Sequence, residues 1–259
     1  MSVVIADLGT SCRADLGPDH PPGPERAVEP QPGRNPGLEG ALHAATTRLV
    51  RSVDALADRA YAEPSLLPGW SRAHVVAHLA LNAEALARAV RGVLAAEEVA
   101  MYDSDESRDA DIEDLAGSSP TELRSRLLGS TTVLAEALGA LPCDALETEI
   151  PRTPDRAQVF VAGQVMAMRW HEVEIHHADL DAGYHRTDWP DSFRCVLLGR
   201  HAERVPATLV ATDLGRTWQA GPGTPIVSGT AADLGWWLTG RGDGEGLTTD
   251  GTLPRIGAS

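Results

Sequence analysis

Residue types that bind divalent metals recur at helical spacing in two separate segments of the chain. In the first segment His74 and His78 lie four residues apart within a largely apolar run. In the second segment Glu172 and His176 have the same spacing, so each pair would share one face of a helix. Glutamate and histidine side chains that point inward from facing helices form metal sites in helical bundles. The sequence therefore predicts a site with two histidines and one glutamate.

Spacing alone leaves several assignments open. Either His74 or His78 can supply the first imidazole, and Glu174 with His177 forms a rival pair on a neighbouring face of the second helix. Glutamate and histidine four residues apart are also common on solvated helix faces, where they bind nothing. Asp179 follows the second histidine by three residues, and it is either a group that orients that imidazole or an ordinary surface charge.

The predicted donor set has the character of a catalytic site. Three nitrogen and oxygen ligands leave one position for water or substrate, which is typical of catalytic zinc. The same donors suit other divalent metals, so the sequence favours zinc but does not determine which metal binds. The three cysteines, Cys12, Cys143 and Cys195, are scattered without a CxxC motif. We therefore expect neither disulfides nor a cysteine zinc site, and we expect a cytoplasmic protein whose reacting thiol, if any, comes from another molecule.

The composition is globular and strongly acidic. Of the 259 residues, 42% are hydrophobic and 23% are charged, and the net charge is −15. The 22 basic residues are all arginine. Because this charge repels phosphate backbones, nucleic acid is not expected as a partner. Apolar runs of about 18 residues and a basic, apolar leader are missing from the sequence, so neither a membrane span nor a secretory signal is expected.

Periodicity divides the chain into three segments. Residues 1–37 are rich in proline without an apolar period, and we expect a disordered tail. Residues 38–188 contain four helical patterns and predict a metal-binding four-helix bundle. Residues 189–259 mix strand-like runs with short helices and predict a small α+β domain. The predicted fold class is thus an α-helical bundle followed by an α+β domain.

The predicted elements follow from apolar spacing, capping residues and turn residues. The helices of the bundle are expected over 38–56, 72–94, 120–141 and 157–182. The acidic segment 102–115 has no apolar period and is expected to be a solvated connection. In the last segment we expect helices over 191–204 and 231–239 and strands over 208–212, 217–220, 225–228 and 247–249.

Two long motifs within these helices resemble the signatures of one family. The stretch LLPGWSRAHVVAHLALNAEAL, residues 66–86, resembles the N-terminal signature of the mycothiol-dependent maleylpyruvate isomerase family. The stretch HEVEIHHADL, residues 171–180, resembles its second signature, and WLTGR, residues 237–241, adds a C-terminal match. The resemblance covers residues 38–245 and implies a DinB-like four-helix bundle followed by a small sterol-carrier-like α+β domain.

The resemblance also implies roles for individual residues. It assigns the metal ligands to His78, Glu172 and His176, and so decides between the two histidines of the first segment. It places a catalytic arginine, which also binds a substrate carboxylate, at Arg241. By spacing, Asn82 lies one helical turn after His78 and is a candidate contact either to the substrate or to a metal ligand from behind.

The activity implied by the resemblance uses the small thiol mycothiol. A divalent metal, zinc by preference, would stabilise the thiolate, which adds to the cis double bond of maleylpyruvate. Rotation and elimination then give the trans isomer, fumarylpyruvate. A mycothiol S-transferase that keeps the thiol on another electrophile is an alternative with the same site. A non-catalytic binding protein with this fold is a third interpretation. The expected partners are a small thiol and an electrophilic substrate.

Overall fold

The computed structural model describes residues 35–221 and 223–256. Most of the tail predicted over residues 1–37 lies outside the described residues, and the first helix already begins at Pro36. The described chain forms two compact units, which divide between Trp189 and Pro190. No helix within the described ranges is both long and apolar enough to cross a lipid bilayer.

The N-terminal unit is a helical bundle. Its helices are α1 (Pro36–Ala55), α2 (Arg72–Leu94), α3 (Asp105–Ala116), α4 (Pro120–Ala140) and α5 (Val165–Asp179). Helix α2 is central, because it packs against α3, α4 and α5, while α1 packs against α4 and α5. Helices α1, α2, α4 and α5 correspond to the four predicted helices, and the predicted bundle is confirmed.

Capping residues explain why the main helices begin where they do. The side chain of Ser119 accepts a hydrogen bond from the backbone N–H of Glu122 at 3.2 Å, and Pro120 occupies the first helical position of α4. The side chain of Asn35 accepts from the N–H of Leu38 in the same way at the start of α1. These starts are the ones that the local sequence favours.

The acidic segment 102–115 is largely helical, so the expectation of a solvated connection was wrong. Ser104 caps α3 by accepting a hydrogen bond from the N–H of Ser107 at 3.0 Å. Acidic residues in the first turn complement the helix dipole. Only Ile112 and Leu115 of this helix are buried. Two apolar contacts are too few to produce a visible period in the sequence.

The helix predicted over 157–182 is shorter at its start. Strand β1 (Glu149–Pro151) pairs in antiparallel fashion with β2 (Val159–Val161), and α5 begins only at Val165. The run of valine and phenylalanine in β2 has high β propensity, which here outweighs helix formation.

The C-terminal unit is a small α+β domain, as predicted. Its elements are α6 (Asp191–Ala202), β3 (Thr208–Ala211), β4 (Arg216–Trp218), β5 (Ile226–Gly229), α7 (Ala231–Leu238) and β6 (Thr248–Thr249). The sheet order is β4-β3-β5-β6, with β3 parallel to β5 and the other pairs antiparallel. Leu198 of α6 and Leu234 of α7 belong to the same buried core as Leu209 and Val227 of the sheet.

Candidate metal centre

The three residues predicted as metal ligands meet between α2 and α5. His78 Nε2 lies 2.9 Å from Glu172 Oε2, and His176 Nε2 lies 3.4 Å from the same oxygen. One ligand atom from each residue lies within 4.8 Å of the others. The two imidazole rings are 4.5 Å apart between centroids, at 72° to each other. Two nitrogens and one oxygen therefore surround a space that a single cation can occupy.

The first residue of α2 and the loop before it form hydrogen bonds with the end of α5. The guanidinium of Arg72 donates to the carbonyl oxygens of Leu180 and Asp181, both at 2.7 Å. The N–H of Leu66 donates to the carbonyl of Asp179 at 2.8 Å. A cation at the carbonyl end of a helix satisfies unpaired acceptors and complements the dipole. These bonds set the position of α2 relative to α5, and with it the distance between the ligands.

His74 was the other candidate ligand that the spacing allowed. Both of its ring nitrogens are in contact with other groups at the start of α2. Its Nδ1 accepts a hydrogen bond from the N–H of Ser71 at 3.2 Å, and its Nε2 lies 3.2 Å from the carboxylate of Glu113 in α3. His74 therefore caps α2 and links it to α3. This arrangement agrees with the choice of His78 that the family resemblance implies.

The rival pair on α5 faces α1. Glu174 is completely buried and accepts hydrogen bonds from Arg48 at 2.8 Å and from Tyr184 at 2.5 Å. His177 Nε2 lies 2.8 Å from the hydroxyl of Ser52, and its ring stacks on Tyr184 with 3.9 Å between centroids. Both side chains of this pair are held in contacts with α1 and with the segment after α5.

Burial and neighbouring charges give the three candidate ligands different pKa shifts. Burial, followed by repulsion from His176, lowers the pKa of His78 to about 4, so this ring is neutral at neutral pH. Burial opposes ionisation of Glu172, but hydrogen bonds from the two imidazoles hold its pKa well below the usual value. Burial also acts to lower the pKa of His176, yet Asp179 and Glu172 together raise it.

The chemistry of this donor set fits a divalent metal. The neutral imidazole of His78 offers a lone pair, and the ionised carboxylate of Glu172 offers an anionic oxygen. The buried carboxylate of Asp179 lies 2.8 Å from His176 Nδ1, which leaves Nε2 of that ring for the metal. A carboxylate behind a ligating histidine is the usual support for such a ligand. Zinc and other divalent metals of similar preference suit these three donors.

One aromatic ring lies beside the centre, and another lies beneath two arginines. The ring of Trp70 lies 5.7 Å from that of His78. Tyr102 is 7% exposed, and the guanidinium groups of Arg152 and Arg108 lie over its ring at 5.1 and 5.9 Å. The sequence did not single out Tyr102, Arg108 or Arg152, because they lie in the segment taken as a connection and in an unpredicted hairpin.

Asn82, the predicted substrate contact, is an interior residue. It is 4% exposed, and its Oδ1 accepts a hydrogen bond from Arg169 Nη1 at 2.8 Å. The same nitrogen of Arg169 donates to the carbonyl oxygen of Leu79 at 2.9 Å. Arg169, three residues before Glu172, thereby links the two helices that carry the ligands. Contact between Asn82 and a substrate stays a prediction.

Arg241 lies just after α7 in the C-terminal unit. Its Nη1 donates to the carbonyl oxygen of Thr239 at 2.9 Å, and its guanidinium lies 5.8 Å from the ring of Trp236. Gly240, with a φ of 77°, makes the turn that ends the helix. The side chain is thus held against the end of α7, and its catalytic role stays a prediction.

The helical bundle carries the converging histidines and glutamate, and an α+β unit follows it along the chain; together they define a bundle protein with a candidate metal centre. The family model described as the mycothiol maleylpyruvate isomerase N-terminal domain matches residues 42–181, which is more than half of the chain. The chain therefore belongs to this family.

Two solved structures are similar over most of the chain. A crystal structure of the mycothiol-dependent maleylpyruvate isomerase is 27% identical, with a TM-score of 0.78, and the match covers 86% of this chain and 96% of that chain. A single-site variant of that isomerase is 26% identical with the same coverage and TM-score. No curated protein sequence matches the chain. Family membership and these two matches identify the chain as an enzyme.

Proposed function

We propose that this enzyme binds one divalent metal and mycothiol, and that it converts maleylpyruvate into fumarylpyruvate. The observation that carries the proposal is the convergence of His78, Glu172 and His176, whose ligand atoms lie within 4.8 Å of one another. Membership of the family supports mycothiol as the thiol. The description of the similar solved isomerase, which names mycothiol and maleylpyruvate, supports the choice of substrate.

The side chains of the centre are arranged before any thiol arrives. When bound, the divalent ion would supply Lewis-acid stabilisation of the mycothiol sulfur as a thiolate. His78, Glu172 and His176 would hold the ion, and three protein ligands would leave it able to bind that sulfur. Asp179 holds the ring of His176 in place, and burial keeps the ring of His78 neutral. The scattered cysteines fit a reducing compartment, in which a thiol cosubstrate stays reduced.

Two arginines of the bundle unit that lie over one aromatic ring favour an anionic substrate. In a chain with a net charge of −15, the guanidinium groups of Arg108 and Arg152 both lie over Tyr102. Repulsion from Arg108 makes a small contribution to the lowered pKa of His78, after burial and the other neighbouring groups. Arginine forms strong hydrogen bonds with carboxylates. Maleylpyruvate carries carboxylates and therefore suits this environment.

The proposed reaction needs no net transfer of protons or electrons. The thiolate forms a bond to one carbon of the cis double bond, and the π electrons move to the conjugated carbonyl oxygen, which becomes an enolate. The former double bond is then a single bond that can rotate. Collapse of the enolate re-forms the double bond in the trans geometry and releases the thiolate. Arg241 would bind a substrate carboxylate through two parallel N–H donors.

The test is a product analysis with purified, zinc-loaded protein, mycothiol and maleylpyruvate. We expect NMR to show fumarylpyruvate, formed at a rate that depends on mycothiol but without consuming it. A stable mycothiol conjugate in place of fumarylpyruvate would contradict isomerisation and indicate an S-transferase. Unchanged substrate would contradict catalysis and favour a binding protein.

Two controls separate the components of the proposal. Omitting mycothiol should abolish the isomerisation, and an equal rate without it would reject the role of the thiol. Removing the metal with a chelator should abolish turnover, and zinc should restore it. Turnover that survives complete metal removal would reject the role of the centre.

A further inference from the structure

The two candidate ligand histidines differ in what holds their rings. The Nδ1 of His176 lies 2.8 Å from the buried carboxylate of Asp179, which orients that ring. His78 makes a polar contact only through Nε2, at 2.9 Å from Glu172, and no described residue forms a hydrogen bond with its Nδ1. A histidine that binds a metal usually has such a partner on its second nitrogen. The orientation of His78 therefore needs another source.

Packing against aromatic rings supplies that orientation. The indole of Trp70 lies against the imidazole of His78, with 5.7 Å between the centroids and 54° between the planes. The ring of His176 lies 4.5 Å from the same imidazole at 72°. The χ2 torsion of histidine has broad preferences, so a ring without contacts would direct Nε2 toward a metal only part of the time. His78 is only 5% exposed, and these rings form part of the wall around it.

The turn before α2 holds Trp70 in a fixed position. The N–H of Trp70 donates to the carbonyl oxygen of Leu67 at 3.1 Å, and the φ of Gly69 is 80°. Proline in second place and glycine with a positive φ in third place, here Pro68 and Gly69, are the pattern of a type II turn. The carbonyl oxygen of Trp70 accepts from the N–H and the hydroxyl of Ser65, at 2.9 and 2.8 Å. Both backbone groups of Trp70 are thus bonded within one turn.

The contacts of the Trp70 side chain are packing contacts. The indole stacks on His74 as well, with 6.2 Å between the centroids and 27° between the planes. Because His74 and His78 lie one turn apart on α2, a single indole covers both rings. In the part of the chain that the structure describes, no group forms a hydrogen bond with the indole N–H. Replacing the indole therefore removes a packed ring without breaking a hydrogen bond.

We propose that Trp70 is a positioning residue of the metal centre, which holds the imidazole of His78 with Nε2 toward Glu172 and so raises the metal affinity. This inference rests on the proposed function, and it gives Trp70 the role toward His78 that Asp179 has toward His176. The ring contact exists before a metal binds, so the ligand is already oriented when the ion arrives. One aromatic contact corresponds to a difference of about 10-fold in affinity.

The first test is the zinc affinity of the full chain, measured by competition with a chromophoric chelator. Trp70→Leu removes the ring but keeps an apolar side chain, and we expect the affinity to fall about 10-fold. Trp70→Phe keeps an aromatic ring and should restore most of the affinity. Trp218→Leu is the matched control, because Trp218 is also half-buried but lies in the C-terminal unit, 5.5 Å from the guanidinium of Arg216. The control should bind zinc as tightly as the wild type.

The second test separates the orientation of one ring from a general loosening of the bundle. NMR order parameters of the imidazole C–H bonds are measured in the metal-free protein, with the signals assigned from histidine-to-alanine variants. In Trp70→Leu we expect the order parameter of the His78 ring to fall, while that of His176, which Asp179 holds, stays at the wild-type value. An equal fall at both rings, or no fall at His78, would overturn the positioning role.

The outcomes separate this inference from the function on which it rests. Wild-type zinc affinity in Trp70→Leu, or an equal loss of affinity in Trp218→Leu, would overturn the inference alone. If Trp70→Leu does not fold, Trp70→Met takes its place with the same expectations, because the flexible methionine side chain fills irregular gaps. Zinc binding without thiol-dependent turnover in the wild type would overturn the proposed reaction and leave the inference standing. A wild-type protein that binds no zinc would overturn both.

Discussion

His176 Nδ1 lies 2.8 Å from Asp179 Oδ2 within the last turn of α5, and the carboxylate is completely buried. The contact fixes the ring of His176 so that Nε2 faces Glu172. The backbone carbonyl of Asp179 also accepts from Leu66 in the loop before α2. Asp179 therefore does two things. Its side chain orients His176, and its backbone contacts the loop before α2, the helix that carries His78.

Asp179→Asn should weaken metal binding without abolishing it. The amide can keep a contact to His176 Nδ1, but it lacks the charge that makes the imidazole a stronger ligand. We expect the metal affinity to fall about 10–100-fold, as measured by competition with a chromophoric chelator. An affinity equal to that of the wild type would contradict the supporting role of this carboxylate.

His78→Ala should remove the bound metal, whereas His74→Ala should retain it. His78 contributes one of three ligand atoms, while His74 bonds to Ser71 and Glu113 at the start of α2. Loss of the His74 contacts should cost about 1 kcal/mol of stability, as for other helix caps. Elemental analysis and urea unfolding of both variants check this pair. If His74→Ala lost the metal and His78→Ala retained it, His74 and not His78 would be the ligand.

Glu174→Gln should destabilise the bundle and leave the metal content unchanged. Its carboxylate accepts from Arg48, Trp170 and Tyr184, and it is completely buried. Because Arg48 is partly exposed and screened, we expect a loss of about 1–3 kcal/mol in the free energy of unfolding.

The matched control for this prediction is Glu84→Gln. Glu84 pairs with Arg126 through two hydrogen bonds, but both side chains are substantially exposed. Its removal should change stability by less than about 1 kcal/mol. Urea unfolding gives the loss of free energy of unfolding for both variants. Equal losses would contradict the prediction that the buried carboxylate of Glu174 stabilises the bundle more than the exposed carboxylate of Glu84 does.

Arg241→Ala should lower turnover at an unchanged metal content. A guanidinium that pairs with a substrate carboxylate or enolate contributes about 10²-fold or more to kcat/KM. Arg216→Ala is a matched control, because Arg216 lies over Trp218 at 5.5 Å much as Arg241 lies over Trp236 at 5.8 Å. Steady-state kinetics of both variants give the comparison. A kcat/KM equal to that of the wild type in Arg241→Ala would contradict the predicted role of Arg241 in binding the substrate.

Local signals in the sequence were sufficient for most of the bundle. Ser119 and Pro120 marked the start of α4, and the apolar period located α2 between Arg72 and Leu94. Helix α3 escaped prediction because only two of its side chains are buried. Its stability comes from a cap, from charges in its first turn and from packing against α2, and two buried side chains are too few to produce an apolar period in the sequence.

The sequence predicted only part of the candidate site. The spacing of Glu172 and His176 predicted one half of it, and the choice of His78 needed the family resemblance. Tyr102 had no local signal at all. Its position depends on a backbone hydrogen bond to Arg152 in the hairpin, at 2.8 Å, between residues far apart along the chain. Contacts of that kind arise from tertiary packing and cannot be read from periodicity.

The most direct test of the metal centre is a crystal structure of the zinc-loaded protein with anomalous data at the zinc edge. We predict one strong peak per chain, about 2.0–2.2 Å from His78 Nε2, His176 Nε2 and a carboxylate oxygen of Glu172. A peak at another position, or none there under saturating zinc, would contradict the account.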